Sequence, residues 1–60
     1  VKERIAADRV KVQERIARWT SIEEVCTRVG LDDDAAYCAY IRSHLDELLD
    51  CLGAMERVTA

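Results

Sequence analysis

Gly30 is the position that most limits what this chain can fold into. The sequence has no proline and only two glycines, so very few residues can stop a helix or turn the backbone. Gly30 follows S-I-E-E-V-C-T-R-V and precedes L-D-D-D. A left-handed C′ residue costs a glycine no Cβ clash, so Gly30 is expected to end one helix and open the next. Asp32, Asp33 and Asp34 suit the positive N-terminus of that following helix. Upstream, Ser21 and Glu24 have capping-box spacing, in which hydroxyl and carboxylate each satisfy an amide of the first turn. A short helix over about 22–29 follows, burying Ile22, Val25, Cys26 and Val29 at i, i+3, i+4, i+7.

The rest of the chain reads as two further helices. Residues 2–19 place Val1, Ile5, Val12, Ile16 and Trp19 close to one stripe, interrupted by Asp8. Trp19, the single tryptophan, is expected to plug the core at the end of this helix. Residues 33–52 carry Cys38, Ile41, Leu45, Leu48 and Leu52, continued by Met55, at alternating spacings of three and four. That is a heptad seam, flanked by Tyr37, His44 and Leu49. Gly53 is expected to cap this helix, with Ala54 to Val58 leaving it, and M-E-R-V-T alternating as the start of a strand does. The fold expected is all-α: one three-helix domain over residues 1–60 with a helix–turn–helix core, its helices at about 2–19, 22–29 and 33–52.

Sixty residues make at most one domain and bury a modest core. Half hydrophobic and 35% charged, the chain has the composition of a folded helical unit and not of a disordered tail. It does not begin with Met and is expected to be a piece of a longer protein. No run of apolar residues is long enough to span a membrane and no signal peptide is visible, so the expected location is cytoplasmic. The net charge of −3 divides unevenly. Residues 1–20 hold six basic groups against three acids, and residues 21–60 hold three against nine. The basic first segment, with Arg15 and Arg18, can face a nucleic acid or an acidic partner, or simply attract the acidic body.

Cys26, Cys38 and Cys51 form no C-x-x-C pair. On one helix Cys38 and Cys51 lie roughly 20 Å apart, too far to bridge. Cys26 with Cys38 can meet across the turn, yet buried free thiols are the expectation for an intracellular chain. His44 and Cys51 are separated by roughly 10 Å along one helix face and cannot share a zinc without outside ligands. The three aspartates lack the spaced ligands and distal Glu of a calcium loop. No third group orients a Cys–His pair and no glycine-rich phosphate loop exists, so neither metal, cofactor nor enzymatic activity is expected.

T-S-I-E-E-V-C-T-R-V-G-L resembles the first helix and turn of a helix–turn–helix domain, with small Cys26 four residues before Gly30. I-R-S-H-L-D-E-L-L-D-C-L-G-A-M-E-R-V is similar to the end of a recognition helix and the wing entry of winged-helix transcriptional regulators. This resemblance, over about residues 20–58, implies a DNA-binding domain whose last helix enters the major groove of double-stranded DNA. Carried over, it makes Tyr40, Arg42 and Ser43 candidates for phosphate and base contacts, with Arg15 and Arg18 as supporting cations. The alternative is a helical dimerisation or protein–protein interaction module that binds no DNA. Its partner would be a second copy or another helical protein, met through Ile5 and Val12 or through Ile41, Leu45, Leu48 and Leu52.

Overall fold

In the computed structural model, which describes residues 1–59, the chain is a hairpin of two long helices, α1 (Lys2–Val29) and α2 (Asp32–Thr59). The expected three-helix domain is therefore incorrect, and with it the helix–turn–helix core. Nothing between Lys2 and Val29 breaks a helix, because neither proline nor glycine occurs there. The break expected near Thr20 is absent: Thr20 Oγ1 donates to the Ile16 carbonyl at 2.8 Å, the back-bond of a threonine inside a helix. Ser21 and Glu24 are likewise interior residues and make no capping box. Gly53 does not end the second helix, which continues through Thr59, and Met55 to Thr59 are helical rather than strand-like.

Gly30 behaves as its neighbours predict. Its φ of 84° and ψ of 18° put it in the left-handed region. The Gly30 amide donates to the Thr27 carbonyl at 3.3 Å and the Leu31 amide to the Cys26 carbonyl at 2.8 Å. This is a Schellman closure, which satisfies carbonyls the helix end would leave open. Asp32, Asp33 and Asp34 then occupy the first turn of α2, against the positive end of its dipole.

The two helices meet along one seam. Ile5, Val12, Cys38 and Leu52 are buried, and Ile16, Leu45 and Leu49 pack against the Ile5–Val12–Leu52 cluster. Trp19 is half-buried and meets Tyr37 edge-on, ring centroids 6.2 Å apart. Two ion pairs complete the seam: Arg9 Nε to Glu56 Oε1 at 2.5 Å, and Arg42 to Glu23. Both share one register, in which Ile16 stands level with Leu49 and Arg18 with Glu47.

That seam is narrower than a closed core. No side chain among the described residues is fully enclosed. The hairpin measures 45 × 14 × 10 Å, one helix thick, with a radius of gyration of 13.9 Å where a compact chain of this length would have about 10 Å. Its accessible surface is 4562 Å², against about 4,000 Å² for a compact monomer of the same mass.

Candidate protein-interaction face

The surplus surface is concentrated on one side. Along α2 the residues turned into the hairpin are Cys38, Arg42, Leu45, Leu49, Leu52 and Glu56, all buried or half-buried. The heptad seam read from sequence differs from this by one row. Cys38, Leu45 and Leu52 belong to both, but Ile41, Leu48 and Met55 fall beside the contact instead of within it. Leu48 and Met55 are 46% and 49% exposed. Helix geometry sets them about a quarter-turn from α1, all to the same side.

α1 supplies a matching row on that side. Ile22 and Val29 are exposed near the turn and continue the surface of Tyr37 and Ile41 across the hairpin, with exposed Val25 farther round α1 on its outer side. Toward the open end the α1 row becomes charged. Asp8, Lys11, Val12 and Arg15 line the α1 wall of an open groove of about 350 Å³, whose α2 wall is Leu48 and Leu52. The face is thus apolar along all of α2 and along the turn end of α1, with cations along the rest of α1. The opposite side shows small and polar residues, among them Gln13, Thr27, Ala36, Ser43 and Asp46, and has no comparable row among the described residues.

The candidate site residues separate on this frame. Ile5, Val12 and Leu52 are consumed inside the hairpin, and Leu45 is half-buried against them. Ile41, half-buried, and Leu48 remain on the open face. The residues expected to read DNA are not brought together. Arg15 lines the groove beside Val12 while Arg18 lies on the outer flank of α1, Tyr40 on the outer side of α2 with its ring edge-on to His44 at 4.5 Å, and Ser43 on the opposite flank. Arg42 is turned into the seam and ion-paired to Glu23. Sequence reasoning did not single out Arg9, Glu23 and Glu56, which bind the two helices together. The signal was present: Arg then Glu two heptads later occurs in each half, Arg9 with Glu23 and Arg42 with Glu56.

All three cysteines are free. Burial and the adjacent Cys26 thiol raise the pKa of Cys38, with smaller contributions from Glu23 and Asp34. Cys26 and Cys38 therefore face each other across the turn end, while Cys51 is exposed beside Leu48. No group of three or more ligating side chains converges among the described residues, and no helix there is long and apolar enough to cross a membrane. No protein-family model, curated protein or solved structure matches the chain.

Proposed function

We propose that the chain is a self-associating helical module: a protein–protein interaction element that dimerises through its open face and neither reads DNA nor catalyses a reaction. The observation that carries this reading is the unpartnered surface formed by Ile22 and Val29 with Tyr37, Leu48 and Met55, each at least 40% exposed. Contiguous apolar patches of this extent mark interaction sites. The surplus of about 600 Å² over a compact monomer, counted for two chains, reaches the lower range of stable interfaces, about 1,200 Å². A duplex ligand is a poor match. Three aspartates stand where a recognition helix would approach phosphate, and Arg42 is already paired. The three unbonded thiols fit a reducing, cytoplasmic setting.

Light scattering at tens of micromolar should return a mass near twice 6.8 kDa. The double variant Leu48→Asp, Met55→Asp should run as a monomer, since each chain would carry two charges into the contact. A monomeric wild-type chain across that range rejects the proposal. Salt-sensitive binding of a mixed-sequence duplex, measured by fluorescence anisotropy at low ionic strength, would favour the DNA reading instead.

A further inference from the structure

We propose that the two copies stack face to face about a two-fold axis parallel to the helices, with both turns at the same end. α1 of each copy then lies antiparallel on α2 of the other. The inference rests on the self-association reading and adds the geometry of the contact. A second copy is favoured as occupant because the face is complementary to itself in one orientation only.

Two two-fold arrangements place one hairpin face against another. In one, the axis lies across the helices, the turns point in opposite directions, and α1 covers α1. Lys11, Arg15 and Arg18 lie near the middle of α1, so this arrangement sets cations of one copy on the same cations of the other. On α2 it likewise brings the Glu47 regions of the two copies together. In the second arrangement the axis runs along the helices, levels are preserved, and α1 covers α2. Arg18 stands level with Glu47, the register fixed by the Arg9–Glu56 and Glu23–Arg42 pairs. Within one chain Arg18 and Glu47 occupy the outer flanks of different helices and form no ion pair. Across the two-fold axis each Arg18 reaches the Glu47 of the second copy. The Lys11 and Arg15 stems cover Leu48 and Cys51 of the second copy while their charged ends stay wet.

The apolar rows agree with this choice. Ile22 and Val29 meet Ile41 and Tyr37 of the second copy at the turn end, and Leu48 and Met55 meet the groove beside Val12 at the other. The complete sequence heptad of α2, from Cys38 through Met55, then points to the middle of a four-helix bundle in which every neighbouring pair is antiparallel. One term opposes it: the two Asp32–Asp34 turns share an end. Those carboxylates are exposed, and charges farther apart than about 8 Å are screened at physiological salt. Cation-on-cation contacts at the centre of an interface would be dehydrated and screened far less, so the co-aligned arrangement wins.

Sedimentation equilibrium of Arg18→Glu, Glu47→Arg and the combined variant tests the geometry. Each single reversal turns two symmetric attractions into repulsions and should weaken dimerisation roughly tenfold, and the combined variant should restore it. Donor and acceptor dyes on the α-amino group of Val1 report the same geometry independently. Diagonal helices of a bundle lie about 14 Å apart, so transfer should be near complete. In the opposed arrangement the dyes would be separated by about the 45 Å length of the hairpin. A dimer with low transfer, or one whose combined variant stays weak, overturns the co-aligned geometry and leaves self-association standing. A wild-type monomer overturns both.

Discussion

Cys38 shows how a single side chain reports its surroundings. It is 3% exposed and stands beside the Cys26 thiol, and both effects keep it protonated. Thiolate is the reactive form, so Cys38 should be the slowest of the three cysteines to alkylate and the exposed Cys51 the fastest. Peptide mass spectrometry after a timed iodoacetamide pulse should recover that order, with three free thiols per chain after denaturation. The pKa shift also carries a sign. Where folding raises a thiol pKa, the unfolded chain gives up its proton first as the pH rises. The stabilising contribution is therefore present below the ordinary thiol pKa of about 8.5 and declines through and above it. Arg42 makes a second residue-scale case. It is 33% exposed at the side chain and paired to a Glu23 that is 23% exposed. Arg42→Gln strands that half-buried carboxylate and should lower stability by about 1 kcal/mol in urea denaturation, whereas the same change at exposed Arg15 should have almost no effect on folding.

At the scale of the element, the helix boundaries invite direct tests. Ser21 lies inside α1 and makes no cap, so Ser21→Ala should be neutral or slightly stabilising by helix propensity. A loss near 1 kcal/mol would instead be the mark of a helix start at that point. Gly53 sits inside α2, and a methyl there would meet only the Arg57 guanidinium at 3.7 Å. Gly53→Ala should therefore raise the unfolding free energy measured in urea by about 0.5–1 kcal/mol. Gly30→Ala has open space yet keeps a φ of 84°, and should cost about 1 kcal/mol. The contrast explains what could be read from the sequence. Gly30 was legible because a helix end needs a left-handed residue and the aspartates announce the next helix. Gly53 was misread because the same residue type is also tolerated mid-helix when packing holds the turn. Ser21 and Glu24 misled because capping-box spacing is equally compatible with a helix interior. The α2 seam was half legible: Cys38, Leu45 and Leu52 are apolar and visible, but the row that meets α1 also contains Arg42 and Glu56. Polar residues that pair across a contact leave no trace in a hydrophobic pattern. The open row of Ile41, Leu48 and Met55 was visible for the same reason, and only the structure shows that it points past α1.

For the whole molecule, stability and association are linked. An isolated two-helix layer with four buried residues among those described is marginal at this size, and a second copy that binds only the folded form adds stability by mass action. The melting midpoint should therefore rise with protein concentration between 1 and 100 micromolar, and the rise should vanish in Leu48→Asp, Met55→Asp. The placement of the buried cluster has a kinetic consequence. Ile5, Val12 and Leu52 lie at the open end, far from Gly30, whereas only Cys38 is buried near the turn. A hairpin held mainly at its turn would fray from the free ends inward. Here the contact that closes the longest loop also holds three of the four buried residues found among those described, so the entropy of that closure is spent before most of the burial is gained. Zippering from the turn should yield no stable halfway state, and opening should engage the whole length at once. Amide exchange ought then to show Val12 and Leu52 protected at least as well as Cys38, a flat profile along the rod in place of a gradient that fades toward its ends.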